Sequence, residues 1–254
     1  MKRSLSICAS SVYIANDLLD LESDRQHPRK RLRPFASGQV PAWKGAALAP
    51  VLLVISLVLG ALVNAAFLVW LVFYVALTCA YSWGLKRIIL IDCLVLALLY
   101  TLRIVAGAAA VGLSLTFWLL AFSTFLFMSL AFVKRYAELE VQLKSGKEKV
   151  HGRGYYTSDA QLIQTLGISA GYASVLVLAL YLQTNAVVTL YPMPQYIWGS
   201  IPIILFWISW VWMKAHRGEM HDDPLVFAVK DRASQVAAVA FAAVFVLGSL
   251  GIPW

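Results

Sequence analysis

Charge is scarce in this sequence. Only 13% of its 254 residues are Asp, Glu, Lys or Arg, while 61% are hydrophobic; soluble domains carry roughly a quarter charged residues. So few charges cannot clothe a water-exposed surface, which argues against a soluble fold and for a lipid solvent. Cysteine is sparse too. Cys8, Cys79 and Cys93 lie in or beside apolar runs without CxxC or metal spacing, so they read as small buried residues and not as a disulfide framework or thiolate site. His27, His151, His216 and His221 show no helical metal spacing and are assigned no catalytic role. No low-complexity tract or soluble domain interrupts the chain.

What the sequence does have is apolar length. Runs near the roughly twenty residues needed to cross a bilayer occupy 45–63, 66–83, 88–112, 116–133, 160–182, 195–212 and 234–252. They lack the alternation of membrane-barrel strands, so the expectation is all-α: a polytopic transmembrane bundle with seven complete spans. Apart from Lys2, Arg3 and Arg103, every Lys and Arg falls in 25–44, 86–87, 134–153 or 214–232. The intervening connections, near Asn64, at 113–115 and at 183–194, carry none. Basic and neutral loops therefore alternate, and the positive-inside rule puts the basic loops in the cytoplasm and Trp254 outside. The net charge of +8 is explained by this topology and by anionic lipid, without a nucleic-acid partner.

The first apolar stretch, 5–15, is about half a span yet leads into an acidic helix end. To present Asp17 to the cytoplasm it must enter from outside, which sets Met1, Lys2 and Arg3 against the positive-inside rule. The expectation is a single membrane domain over 1–254 that lacks a first span and part of a second, with about thirty to forty residues upstream.

The sharpest local feature is Asn16-Asp17-Leu18-Leu19-Asp20-Leu21-Glu22-Ser23-Asp24. Asp17, Asp20 and Asp24 fall at i, i+3 and i+7, on one face of a helix. Carboxylates that close repel one another unless a cation intervenes, and hard oxygen donors suit Mg²⁺ shared with a substrate diphosphate. Asn16 completes the candidate metal set. Arg103 is the one basic residue deep in a span; such an arginine costs about 2.5–3.5 kcal/mol to insert and is usually paired or faces a cavity. It reads as structural or as a contact for a lipid phosphate.

The NDxxDxxxD run continues through Arg25, His27-Pro28, Lys30-Arg31 and Arg33-Pro34-Phe35-Ala36-Ser37-Gly38. This resembles the UbiA superfamily of intramembrane prenyltransferases, as does Tyr81-Ser82-x-x-Leu85-Lys86-Arg87. The resemblance implies a helical bundle of about nine spans, Mg²⁺ and a diphosphate at the Asp-rich motif, and Lys86 on the diphosphate. Asp17, Asp20, Asp24 and Lys86 are then the catalytic candidates; Asn16, Arg25, Lys30, Arg33 and Tyr81 are binding candidates.

Where aromatic prenyltransferases of the superfamily carry a second aspartate pair, this chain reads Lys134-Arg135-Tyr136-Ala137-Glu138-Leu139-Glu140. With Gly152-Arg153-Gly154-Tyr155-Tyr156, Tyr100-Thr101-x-Arg103 and Asp222-Asp223-Pro224 through Asp231-Arg232, it is similar to the decaprenyl-phosphate phosphoribosyltransferase branch. That branch implies transfer of 5-phosphoribose from phosphoribosyl pyrophosphate to a polyprenyl phosphate, with release of pyrophosphate. Lys134, Arg135 or Arg153 would hold the 5-phosphate; Tyr136, Glu138 and Glu140 would face the ribose; Asp231 and Arg232 are further binding candidates. The expected partners are a diphosphate donor, a polyprenyl lipid and the bilayer, at the cytoplasmic face of a bacterial inner membrane. Prenyl transfer from a polyprenyl diphosphate to an aromatic acceptor is the alternative, and a non-catalytic membrane remnant is the reading from another class. A transporter fits less well, because the motif residues gather at one face and not at the midplane.

The topology is directly testable. Reporters fused at residues 145 and 225 are expected to read cytoplasmic and one at 188 external; an external signal at 145 overturns the arrangement.

Overall fold

A peptide group in hydrocarbon has no water to bond to, so each segment must satisfy its own backbone. The computed structural model accordingly is built of helices. It describes residues 2–26, 30–146, 153–220 and 223–250; the side chains of Lys2, Arg3, Ser23, Gln26, Lys30, Ala186 and Val188 lie outside that description. The chain forms two compact units, one of Met1–Leu115 with His151–Gly154 and one of Thr116–Val150 with Tyr155–Trp254.

The first unit contains α1 (Lys2–Leu19), α2 (Leu21–Gln26), α3 (Ala42–Ala61), α4 (Ala65–Trp83) and α5 (Ile91–Val111). α1 and α3 meet along small residues. Ser4 Oγ donates to Ser56 O (2.9 Å), Ser56 Oγ returns a bond to Ser4 O (2.9 Å), and Ser11 Oγ donates to Ala49 O (2.6 Å). Without a hydrophobic drive between helices in lipid, such close backbone approach and interhelical bonding is what associates them. The apolar part of α1 runs over Ser4–Leu19, longer than the 5–15 read from hydropathy, and these serines lie along it and along α3. Their hydroxyls are bonded to backbone carbonyls, so they do not interrupt a membrane helix. At the neutral end, Asn64 caps α4 by accepting from Phe67 N (2.7 Å) and donates to Ala109 O and Ala110 O at the end of α5 (3.0 and 3.2 Å). Cys8, Phe67, Leu71, Tyr74, Val95, Leu99, Leu102 and Ala106 form the core between these helices.

The second unit contains α6 (Phe117–Lys144), α7 (Ala160–Leu182), α8 (Asn185–Leu190), α9 (Pro194–Ile197), α10 (Ser200–His216), α11 (Pro224–Lys230) and α12 (Arg232–Leu250). Its central seam is built on Gly167 and Gly171 of α7. A Cβ at Gly167 would lie 2.2 Å from the Trp212 ring and 2.7 Å from Phe132 Cβ; one at Gly171 would lie 2.8 Å from Ser129 Oγ. Ser129 Oγ donates to Gly167 O (2.7 Å) and accepts from the Trp212 indole (3.0 Å), so one hydroxyl ties α6, α7 and α10. Within the connection 183–194 the residues Asn185–Leu190 form α8, where Val187 buries with Leu182 and Ile197.

Among the described residues seven helices are long and apolar enough to cross a membrane, and only 17% to 33% of each apolar stretch is buried within the protein. The remaining apolar surface needs lipid, and the chain is an integral membrane protein. Gly167→Ala is expected to destabilise the protein by about 1–3 kcal/mol through overpacking. Gly107→Ala, where a Cβ meets nothing within 4 Å, is the control. Thermal unfolding in detergent checks this; equal midpoints would remove the seam argument.

Candidate functional site

In the first unit the polar chemistry gathers where α1 ends. The helix breaks at Asp20, yet Asp20 N still bonds Asn16 O (2.9 Å) and Asp24 N bonds Asp20 O (2.8 Å), so the i, i+3, i+7 alignment survives the break. Arg33 Nη1 donates to both Asp17 Oδ1 (2.9 Å) and Asp24 Oδ2 (2.7 Å). Lys86 Nζ donates to Asp20 Oδ1 (2.6 Å), whose other oxygen accepts from Asn16 Nδ2 (3.2 Å). Asp24 and Lys86 are buried, whereas the Arg33 side chain is 38% exposed and that of Asp17 25%. Arg25 is exposed on α2, and the side chain of Lys30 lies outside the described residues.

Asn16, Asp17, Asp20 and Asp24 do not form a closed metal cage: among the described residues no three of His, Cys, Asp or Glu are grouped to hold an ion. Basic side chains reach the carboxylates instead. The donor set still fits Mg²⁺, which typically takes one or two carboxylates and completes its shell with water and phosphate oxygens. Partly exposed ion pairs are worth about 0–1 kcal/mol, so exchanging Arg33 on Asp17 for a metal-bound diphosphate is energetically cheap.

Lys86 is carried by a short 3-10 turn, Leu85–Arg87, between α4 and α5. The connection ends in a tight γ-turn at Leu90 (φ 65°, ψ −36°), closed by Ile91 N to Ile89 O (2.8 Å). Such a turn is strained for a non-glycine residue, by about 1–3 kcal/mol. Just beyond it, Asp92 is fully buried; its Oδ1 accepts from Cys93 N (2.7 Å) and its Oδ2 faces Arg153 Nη1 (3.5 Å). The same Arg153 nitrogen lies 3.3 Å from Tyr81 OH. Arg153 was expected on the 5-phosphate, but its guanidinium is directed at Asp92 and Tyr81. Asp92 went unassigned in the sequence because a lone acid in the first turn of a helix reads as an end decoration.

Arg103 finds its partner in Tyr74, whose hydroxyl accepts from Nη2 (2.7 Å) and Nε (3.3 Å). The guanidinium also stands over the rings of Tyr74 and Tyr100, at 5.4 and 5.2 Å. Cation–π contact and a phenol acceptor are a neutral way to hold a charge within a span.

In the second unit the basic end of α6 divides its residues sharply. Lys134 Nζ, on a side chain 34% exposed, bonds Asp223 Oδ2 (2.7 Å). Arg135 is fully buried, pairs with Glu138 and lies 5.6 Å over the Tyr155 ring. Tyr136 OH shares a hydrogen bond with His216 Nδ1 (3.1 Å), a histidine given no role from sequence. Glu140 lines a cavity of about 240 Å³ with Lys144, Gly218 and Met220. Asp231 accepts from the Trp210 indole (3.0 Å), Ser234 N (2.8 Å) and Ser234 Oγ (2.9 Å), so it caps α12. Arg232 is exposed beside it. Burial works against ionisation of Asp231, but the Ser234 and Trp210 bonds and the charge of Lys214 outweigh it and hold the carboxyl below its ordinary range.

The UbiA prenyltransferase family matches residues 4–230. This chain belongs to that family. It is 37% identical to the nodulation protein NoeC of Azorhizobium caulinodans, over 92% of this chain and 76% of NoeC. It is 36% identical to the uncharacterized protein y4nM of Sinorhizobium fredii, over 96% of this chain and 48% of y4nM. Identity to the decaprenyl-phosphate phosphoribosyltransferase of Mycolicibacterium smegmatis is 36%, over 65% of this chain and 52% of that protein. The chain thus spans about half the length of two of these relatives. A UbiA homologue from Archaeoglobus fulgidus bound to DMAPP and Mg²⁺ shares the fold, with a TM-score of 0.71 at 16% identity over 98% of this chain and 86% of that one. Members of this family are transferases, and the all-helical membrane fold read from the motifs is that of the UbiA chain.

The Asp231 cap gives a pH test. Because its folded-state pKa is depressed, its stabilisation is present above the unfolded value near 3.9 and is lost as pH falls through the folded value. Asp231→Ala is expected to lose about 0.5–2 kcal/mol near neutrality and to flatten the acid limb of the unfolding-temperature profile. A profile parallel to wild type would remove this role.

Proposed function

We propose that this UbiA-family chain moves 5-phosphoribose from phosphoribosyl pyrophosphate to a polyprenyl phosphate, at the cytoplasmic face of a bacterial inner membrane. The observation that carries the reading is the Lys86–Asp20 contact beside the Asp17–Arg33–Asp24 bridge, a patch of alternating signs at the basic end of the spans. Such a patch can exchange internal ion pairs for a diphosphate and its cation. The 36% identity to a decaprenyl-phosphate phosphoribosyltransferase supports the choice of donor.

Asp17, Asp20 and Asp24 would hold Mg²⁺ through the donor's diphosphate, and the metal would supply neutralisation of charge on departing pyrophosphate. Lys86 donates to the same leaving group. The bond from the ribose anomeric carbon to the diphosphate oxygen breaks, and one from that carbon to a lipid phosphate oxygen forms. The acceptor is already ionised, so no strong general base is needed. Of the residues expected on the 5-phosphate, the partly exposed Lys134 suits a point contact with an anion, whereas buried Arg135 serves Glu138 and Tyr155.

The test supplies labelled phosphoribosyl pyrophosphate and a polyprenyl phosphate to the chain in lipid nanodiscs with Mg²⁺. Label is expected in the lipid, with stoichiometric pyrophosphate. Asp20→Ala is expected to abolish turnover with insertion intact, and Lys134→Ala to weaken donor binding by roughly 10- to 150-fold, the loss of one charge-assisted contact of about 1.5–3 kcal/mol. Prenylation of an aromatic acid from a polyprenyl diphosphate, with phosphoribosyl pyrophosphate ignored, would replace this reading with prenyl transfer.

A further inference from the structure

Lys86 has to be aimed at Asp20 from a connection with little structure of its own. Between α4 and α5 the backbone is held by Arg87 N to Gly84 O (2.9 Å), Ile88 N to Leu85 O (3.1 Å) and the γ-turn at Leu90. A short, strained segment of this kind persists only where its surroundings over-determine it. What surrounds it is Arg153 and Gly154, which belong to the first unit although the chain on both sides of them runs to the second. A Cβ on Gly154 would stand 2.8 Å from Arg87 O and 2.9 Å from Ile89 Cγ1, so the glycine backbone is pressed against the residue after Lys86. Arg153 Nη1 meanwhile reaches Tyr81 OH in the last turn of α4 and Asp92 Oδ2 in the first turn of α5. One guanidinium nitrogen therefore spans both ends of the connection. Asp92 is fully buried, so its side chain is fixed in place and offers Arg153 a rigid anchor at the start of α5.

We propose that Arg153 and Asp92, with Gly154 as the contact surface, are positioning residues that hold the Leu85–Leu90 connection so that Lys86 meets Asp20. This rests on the diphosphate reading of Lys86 and assigns Arg153 to alignment of that lysine, not to the donor's 5-phosphate. A groove that holds a leaving group depends on such supports: losing an outer partner of a bound ion commonly costs 10- to 100-fold in affinity or activity.

The experiment uses the whole chain in nanodiscs with Mg²⁺, and inorganic pyrophosphate and ribose 5-phosphate are titrated separately as calorimetric probes. In parallel, the rate at which the Lys86 amine is acylated is read by mass spectrometry. Arg153→Ala is expected to weaken pyrophosphate binding by about 10- to 100-fold and to speed acylation of Lys86, with Arg153→Lys intermediate. In a Lys86→Ala background the further loss from Arg153→Ala should vanish, because a support has no effect once the supported group is gone. Additive losses with unchanged Lys86 reactivity would overturn the proposal, and a loss confined to ribose 5-phosphate binding would return Arg153 to the donor. Should Arg153→Ala fail to insert, Gly154→Ala and Arg153→Lys carry the same comparison. A wild-type chain that binds no pyrophosphate would sink the diphosphate reading alone, since the acylation rates still decide whether Arg153 positions Lys86.

Discussion

A peptide group in hydrocarbon must be bonded within its own segment, and most features of this protein descend from that constraint. It makes every span a helix, and it removes the hydrophobic drive that would press helices together in water. Helices then meet where backbones can approach: Ser4, Ser11, Ala49 and Ser56 between α1 and α3, and Gly167, Gly171 and Ser129 between α6 and α7. The same constraint expels charge. Arg103 stays within a span only because Tyr74 and Tyr100 offer a phenol oxygen and two ring faces in place of water.

Charge expelled from the spans must be reconciled with itself at their ends. Asp17 and Asp24 converge on Arg33, Asp20 on Lys86, and Lys134 on Asp223. Most of these side chains remain partly open to water, where such pairs are weak. On the proposed reading weakness is the useful property, because a site that is to release its internal ion pairs to an incoming diphosphate cannot hold them tightly. The pairs that bury a member completely behave differently. Asp92 with Arg153, and Arg135 with Glu138, each enclose one member wholly, so loss of a partner costs more there than at an exposed pair. Complete enclosure thus marks Asp92 and Arg135 as groups committed to architecture.

Hydropathy sufficed for the seven long spans, because it is averaged over about twenty residues. The three aspartates were legible since helical period alone aligns them, and the break at Asp20 does not disturb it. Arg33 was expected as a substrate contact from its motif; nothing in its spacing announced that it would bridge Asp17 and Asp24. The Arg153–Asp92 pair was beyond reach for a plainer reason. Its members are 61 residues apart, and a contact at that separation is set by the packing of several helices, which no local period encodes.

Lys134 and Arg135 show where reading by type gives out. Adjacent in sequence and alike in charge, both were natural candidates for a phosphate. A helix turns each successive side chain by about 100°, and at the end of α6 that rotation carries Lys134 toward Asp223 with a third of its surface open, while Arg135 enters the interior against Tyr155 with none. An arginine suits the buried post because its planar guanidinium can stack on an aromatic face and is less strongly hydrated than an ammonium. The lysine, a compact charge on a flexible stem, suits the exchangeable one. The two positions are therefore not interchangeable, although a motif that asks only for a basic pair treats them alike.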